Sequence, residues 1–278
     1  MRELRTDCYK KRITIELKNV NDLKGWFSEY MQTFIDGDED CKRNVLLKAD
    51  HTERVCREIV ELGKALELNP QDIYLAEIMA LFHDVGRFEQ YIRYRTFVDR
   101  KSEDHALIGV TILQDKAVLD GFDNPTQDLI LRTIQYHNRA ALPQNETEQC
   151  LFFSKLLRDA DKLDIWKVVT DYYHRENRRR NAAIELGLPD TPGVSEFVYQ
   201  DIMKQQIVNA DHIRNLNDFK VLQMGWIFDI NFKPTFRAVQ SRGYIEMIQD
   251  ALPVSIQIQD IAEKVRAHLD WGLNHTKE

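Results

Sequence analysis

The chain has 278 residues, 43% hydrophobic and 10% aromatic, which suffices for a sizeable core in one large or two small domains. Its formal net charge of −7 does not carry the basic footprint of a protein that binds nucleic acid polymers. A small phosphorylated substrate remains compatible with this charge, because local cations and metals decide its binding. No stretch approaches the roughly 18 apolar residues of a membrane span, so we expect no membrane partner.

The cysteines and the N-terminus favour a cytoplasmic protein. The four cysteines have no CxxC spacing, which is typical of incidental thiols in a reduced intracellular protein: Cys8, Cys41, Cys56 and Cys150. Residues 1–12 mix charges and lack an apolar run, so they predict no signal peptide.

Helical periodicity dominates the chain, with only 11 Gly and 7 Pro to interrupt it. Two segments differ: Arg12–Lys18 alternates in a way that could form a short strand, and Asp36–Asp40 reads as an acidic turn. The predicted helices are Asn21–Phe34, Asp50–Leu66, one capped by Asn69 and ending at Phe82, one starting at Ser102–Asp104, one following Asn124–Thr126, Leu151–Val169 and Ser255–Trp271.

The centre of the chain is the stretch Ala80–Gly86, which contains the adjacent pair His83 and Asp84. His83 follows Met79 by four residues, so the helical period points it toward the core. Gly86 then offers the chain a way to leave the helix. An imidazole nitrogen beside a carboxylate suits a divalent cation, although a His-Asp dipeptide is frequent by chance.

Four more residues share this inward position on other predicted helices: His51, His105, His137 and Asp161. A buried carboxylate is costly unless it is paired or bound to a cation. Each histidine could be a hydrogen-bonded core residue, and Asp161 could pair with Lys155 or Arg158. One shared metal centre, built from facing helices, explains all of them at once.

The chain resembles the HD-domain metal-dependent phosphohydrolase superfamily in the order of its motifs. His51 comes first, then the pair His83-Asp84, and then Asp161 within Arg-Asp-Ala-Asp-Lys-Leu. The motifs span roughly residues 44–169, and His105 and His137 match the extra histidines of its dinuclear branch. The sequence departs from the cyclic-dinucleotide phosphodiesterase branch after His137, where Asn138-Arg139-Ala140 stands without a second His-Glu pair or Gly-Tyr-Pro.

The resemblance implies a fold and a ligand set. It implies an all-α protein, with one metal held by His51, His83, Asp84 and Asp161. A second metal would be held by His105 and His137, with Asp84 bridging the two. The carboxylate-rich set favours Mn, Fe, Mg or Co, with Ni or Zn able to substitute.

Hydrolysis at phosphorus also needs cations and oriented ligands. Asp84 is the central catalytic residue by the resemblance. Three cations near the motifs could clamp phosphoryl oxygens or form ordinary surface ion pairs: Arg87, Arg139 and Lys162. Two carboxylates, Asp159 and Asp104, could orient a ligand histidine, and Asp104 could equally be a first-turn helix acid.

We expect a single all-α domain over residues 1–278, with an HD core of about 44–170 and the other helices packed around it. The non-periodic Asp171–Pro192 contains Arg175 and Arg178–Arg180, either a solvated face or a basic lid over an anionic substrate. The apolar cluster Trp226–Phe232 is core or, alternatively, the interface of a homodimer.

Three functions remain open from the sequence. The first is hydrolysis of a phosphomonoester or phosphodiester, with nucleotides among the candidate substrates. The second is a dinuclear-iron oxygenase, because some proteins resembling this superfamily use the same six ligands with O₂. The third is a regulatory module that binds a metal or a nucleotide without catalysis, against which the complete ligand set argues.

Overall fold

The computed structural model describes residues 15–35, 38–175 and 181–276, which are mainly helical with no strand among them. The expected all-α fold is confirmed. The first helices are α1 (Leu17–Gln32), α2 (Glu39–Ala65), α3 (Pro70–Phe82), α4 (Gly86–Tyr94), α5 (His105–Asp115), α6 (Asn124–Tyr136) and α7 (Glu148–Tyr173). The remaining ones are α8 (Ala182–Glu185), α9 (Glu196–Met203), α10 (Leu216–Gly225), α11 (Lys233–Arg242), α12 (Tyr244–Asp250) and α13 (Ile256–His275).

Side-chain caps explain where several helices begin. The Asn69 side chain accepts a hydrogen bond from the Asp72 N–H, with Pro70 in the first turn, as predicted. Asp104 caps α5 through the Ala106 N–H, so it stands just before the first turn rather than in it. Asp123 caps α6 in the same way. Polar residues ahead of each apolar run therefore set these boundaries.

Three helices begin earlier than predicted. Helix α1 begins at Leu17, so the possible strand at Arg12–Lys18 is contradicted over its last residues. Helix α2 begins at Glu39, because Asp38 accepts from the Cys41 N–H and converts part of the acidic turn into a helix start. Helix α7 begins at Glu148, where Thr147 caps it. The predictions for Cys8, residues 12–14, residues 36–37 and Arg178–Arg180 lie outside the described residues.

Gly86, which the sequence predicts as the point where the chain leaves a helix, instead begins α4. It is small because α4 crosses α5 at this point. A Cβ on Gly86 would overlap the His105 carbonyl oxygen and come within 2.6 Å of the Gly109 nitrogen. The two helices can therefore approach closely only through this glycine.

Helix α2 forms the centre of the core and packs along α3, α7 and α4. Helices α5 and α6 continue the layer, with α4 against α5, α5 against α6, and α6 against α7. Buried side chains of these helices belong to one hydrophobic cluster that extends into the C-terminal helices. This arrangement brings α2, α3, α5, α6 and α7 around one interior region.

The C-terminal helices cover one side of that core. Helices α11 and α12 pack on α7, and α13 packs on α9, α11 and α12. Trp166 of α7 stacks on Tyr244, with ring centroids 6.1 Å apart. Ile227, within the predicted apolar cluster, is fully buried, so this cluster packs into the core. Within the described part of the chain, none of the helices combines the length and apolarity needed to cross a bilayer.

Candidate metal centre

The first ligand group joins three distant parts of the chain: His51 in α2, His83 just after α3, and Asp161 in α7. His51 Nε2 lies 3.1 Å from Asp161 Oδ1, and His83 Nε2 lies 3.7 Å from the same oxygen. The two Nε2 atoms are 3.2 Å apart. Both histidines are buried. Three acceptor atoms therefore converge on one buried point.

The second group consists of Asp84, His105 and His137, all buried. Asp84 Oδ1 lies 3.2 Å from His105 Nε2 and 3.8 Å from His137 Nε2. The two Nε2 atoms are 3.0 Å apart. The fold thus assembles this group from the start of α5, the end of α6 and the turn between α3 and α4.

Asp84 lies between the two groups. Its Oδ2 faces the first group, at 3.5 Å from His51 Nε2 and 3.7 Å from His83 Nε2. Its Oδ1 faces the second group. One carboxylate thus presents one oxygen to each pair of histidines.

All four histidines direct Nδ1 away from the centre to an acceptor. His83 and His137 each follow the last residue of a helix and donate to the carbonyl three residues earlier, Ala80 O and Ile134 O, both at 2.6 Å. This bond also satisfies a carbonyl that the helix end leaves free. Because Nδ1 carries the proton, Nε2 is left as a basic lone pair that faces inward.

The other two histidines donate to carboxylates that the sequence analysis did not identify. His51 Nδ1 lies 2.6 Å from Asp164 Oδ2, and His105 Nδ1 lies 2.8 Å from Asp99 Oδ2. Arg54 pairs with Asp164 at 2.5 Å. A sequence signal existed for Asp164, which follows Asp161 by three residues on the same helix. Asp99 begins a single 3₁₀ turn, Asp99–Lys101, which is too short for periodicity to give a signal.

The local charges shape the pKa values at the centre. At His83, burial lowers the pKa while the charges of Asp84 and Asp161 raise it. Burial is the larger effect, and the pKa of His83 falls to about 4. Burial and Lys48 oppose protonation of His51, but Asp161 and Asp164 outweigh them and raise its pKa. Burial alone would raise the pKa of Asp84, yet the nearby cations hold it well below its usual range.

The donor chemistry fits divalent metal ions. Nε2 atoms that face one another at 3.0–3.2 Å are acceptors without a hydrogen between them. A cation or an added proton must balance these lone pairs and the two carboxylates. Imidazole nitrogens together with carboxylate oxygens suit Mn, Fe, Co, Ni or Zn, and thiolates are absent from both groups.

Two cations lie directly beside Asp84. Lys48 Nζ is 2.7 Å from Asp84 Oδ2, and Arg87 Nε is 3.3 Å from Oδ1. The Phe97 ring lies under both, with its centroid 5.5 Å from Lys48 Nζ and 5.9 Å from Arg87 Cζ. The sequence analysis missed Lys48, although it precedes His51 by three residues on α2.

The other predicted cations have different contacts. Arg139 is exposed and stacks on the Tyr136 ring, 4.7 Å from its centroid. Lys162 is buried and pairs with Asp229 at 2.6 Å. The structure therefore brings Arg87 to the ligand groups, while these two side chains serve other partners.

Neither predicted orienting carboxylate contacts a ligand histidine through a hydrogen bond. Asp159 accepts from the backbone N–H groups of Asn231 and Phe232 at the start of α11, and burial raises its pKa to about 6. Asp104 caps α5 and accepts from Asn138 Nδ2 at 2.8 Å. It lies near Asp99 and His105 in a third possible ligand group.

A cavity of about 380 Å³ adjoins the first ligand group. Its polar lining includes His51 and three side chains that form ion pairs with Asp84 or His105, namely Lys48, Arg87 and Asp99. It also includes Arg54, which pairs with Asp164 behind His51. The rest of its described lining is aliphatic or aromatic and includes Ile165, Val168, Phe219 and Trp226. The site thus combines a charged part with an apolar part.

Comparison with known proteins agrees with this geometry. A family model named HD domain matches residues 49–166, a segment that contains all six converging ligand candidates. No curated protein and no solved structure matches the chain. HD domains are typically metal-dependent hydrolases, and the two buried His/Asp groups fit metal binding. The ordered ligands, the all-helical core and the family match together identify residues 49–166 as an HD domain.

Proposed function

We propose that the protein is a metal-dependent phosphohydrolase that cleaves a phosphomonoester or phosphodiester. The observation that carries this proposal is the position of Asp84, whose two oxygens face two separate histidine pairs. Such a carboxylate suits the bridge of a two-metal site, with His51, His83 and Asp161 on one side and His105 and His137 on the other.

Two divalent ions, when bound, would make a water acidic enough to supply hydroxide near neutral pH and would neutralise charge on phosphoryl oxygens. The chain's own residues prepare this chemistry. The hydrogen bonds that the four histidines donate from Nδ1–H keep each imidazole in the tautomer whose Nε2 can bind a metal. Burial keeps His83 neutral. Asp164 and Asp99 hold His51 and His105 in position.

Lys48 and Arg87 are the cations that we propose as phosphoryl clamps. Both line the cavity and both contact Asp84, so a phosphoryl group at the ligand groups would lie within their reach. Arg87 is further fixed by Asp99 and by the Phe97 carbonyl. Fixed donors of this kind stabilise developing charge without reorganisation.

The test is a hydrolysis screen on protein that has been stripped by chelator and reloaded separately with Mn, Mg, Fe, Co, Ni or Zn. Phosphomonoesters and phosphodiesters, including nucleotides, are offered to each form, and released phosphate or alcohol is measured. We expect turnover that depends on the metal and disappears after chelation.

Two other results would contradict the proposal. Copurified iron with O₂ consumption and no ester hydrolysis would indicate the dinuclear-iron oxygenase. Tight binding of a metal or nucleotide with no turnover under any condition would indicate the regulatory module.

A further inference from the structure

We propose that the substrate is a phosphate ester whose leaving group is an alkyl or aryl alcohol, rather than a nucleoside or a sugar. This inference rests on the proposed hydrolase function and adds the class of substrate. It is drawn from the cavity beside His51. The charged part of its lining suits the phosphoryl group, and the apolar part suits the leaving group.

The charged lining is suited to an anion. It contains three cations, Lys48, Arg54 and Arg87, against the single carboxylate Asp99, apart from the ligand carboxylates. Lys48 and Arg87 reach Asp84, and Arg54 reaches Asp164 behind His51. An anionic phosphoryl group would therefore occupy this part of the cavity, next to the ligand groups.

The remaining lining offers almost nothing to a polar leaving group. Among the described residues that line the cavity, none carries an amide or hydroxyl side chain, and apart from the ligand candidate His51 and the charged side chains, the indole nitrogen of Trp226 is the one polar side-chain atom. The walls are instead aliphatic and aromatic, for example Ile165, Val168, Leu186 and Phe219. A base or sugar bound here would lose hydrogen bonds to water that these side chains cannot replace.

The volume is consistent with a small ligand. A cavity of about 380 Å³ lies at the lower end of the usual range for small-molecule sites, roughly 300–1,000 Å³. Water would add to phosphorus, and the bond from phosphorus to the ester oxygen would break. A proton from that water would pass to the departing oxygen, so that a monoester gives one alcohol and one inorganic phosphate.

The experiment compares esters that share the phosphate and differ only in the leaving group. The manganese-loaded protein is offered hexyl phosphate, the same alkyl phosphate with a terminal hydroxyl, and adenosine monophosphate. We expect kcat/KM for hexyl phosphate to exceed that of the hydroxyl analogue by about tenfold, because burying an unpaired hydroxyl is costly. Adenosine monophosphate should be poorer still.

Two outcomes would overturn the inference in distinguishable ways. Equal rates for the two chains, or a preference for the nucleotide, would refute the apolar leaving group and leave the hydrolase proposal standing. No release of phosphate from any ester, with any metal in the broader screen, would remove the hydrolase proposal and this inference with it.

A variant locates the preference in the cavity wall. Val168→Asn places an amide in the apolar lining and should reduce the ratio of kcat/KM values between hexyl phosphate and its hydroxyl analogue toward one. Val254→Asn is the matched control, because Val254 is 95% exposed and should leave the ratio unchanged. An unaltered ratio in Val168→Asn with normal metal content would contradict the assignment. If this variant does not fold, the wild-type comparison still decides the inference.

Discussion

At the scale of single residues, the centre depends on which ring nitrogen each histidine uses. Each of the four Nδ1 atoms has an acceptor at 2.6–2.8 Å, two being carbonyls and two being carboxylates. The outer hydrogen bonds therefore select the inner lone pairs. Without them a neutral imidazole could place its proton on Nε2 and could not ligate there.

Asp84 is the residue on which the two groups depend together. Asp84→Asn keeps the shape but removes the charge, and an amide nitrogen cannot act as a ligand. We expect metal affinity and activity to fall together while the helical fold survives. The loss should exceed the factor of about 10–100 that follows removal of a residue that only orients a ligand. Metal analysis, turnover and circular dichroism measure these three quantities.

Asp104→Asn is the control for that substitution. Asp104 caps α5, and Asn is an equally good cap, so metal content and turnover should stay near those of the wild type. If Asp84→Asn retained two metals per chain and wild-type turnover, Asp84 would be an ordinary residue in a turn and the proposed mechanism would be wrong.

The two orienting carboxylates should act on different halves of the centre. Asp164→Asn weakens the hold on His51 and should lower metal affinity in the first group by about 10–100-fold. Asp99→Asn should do the same in the second group through His105. Metal titration followed by calorimetry should show one strong and one weakened site in each variant. Equal weakening of both sites, or of neither, would contradict separate groups.

At the scale of elements, the helix crossing at Gly86 sets the position of His105. Helices α4 and α5 meet where Gly86 faces the His105 carbonyl and Gly109. The His-Asp pair directly precedes α4, and His105 opens α5. The separation of these two helices therefore fixes the distance between Asp84 and His105.

Gly86→Ala should force this crossing apart. The atoms that the new Cβ would meet are backbone, which cannot rotate away, so we expect a loss of about 1–3 kcal/mol or more in the free energy of unfolding. Metal in the second group should weaken as well. Gly25→Ala is the matched control: nothing lies within 4 Å of its Cβ in α1, and it should stabilise by roughly 0.5–1 kcal/mol. Denaturant unfolding would compare the two, and similar stabilities would refute the tight crossing.

At the scale of the whole molecule, the family match ends in α7 but the hydrophobic core continues. Trp166 stacks on Tyr244, and Asp159 accepts hydrogen bonds from the start of α11. Arg158 and Lys162 also pair with Asp229. The helix that carries Asp161 is thus held in place by the C-terminal region.

This shared core predicts one cooperative unfolding transition for the full chain. Differential scanning calorimetry of metal-free protein should give a calorimetric enthalpy equal to the van't Hoff enthalpy. Two resolved transitions, one for about residues 44–170 and one for the C-terminal helices, would contradict the prediction of a single domain.

The sequence by itself determined much of the helical fold and all six converging candidates. Both signals are local. A helix start leaves N–H groups free, which predicts a capping residue such as Asn69. A helix has a fixed period, which places His51 on the same inward face as the apolar residues of its helix. The order His51, His83-Asp84, Asp161 then sufficed to indicate the HD domain.

Only the tertiary structure decided which side chains surround those candidates. Asp99 and Lys48 act through partners that are 6 and 36 residues away along the chain, at distances that no periodicity encodes. Arg139 and Lys162 stand beside sequence motifs but contact Tyr136 and Asp229. Hydrogen bonds and ion pairs form between atoms that are close in space, and neighbours in space are set by helix packing rather than by neighbours in sequence.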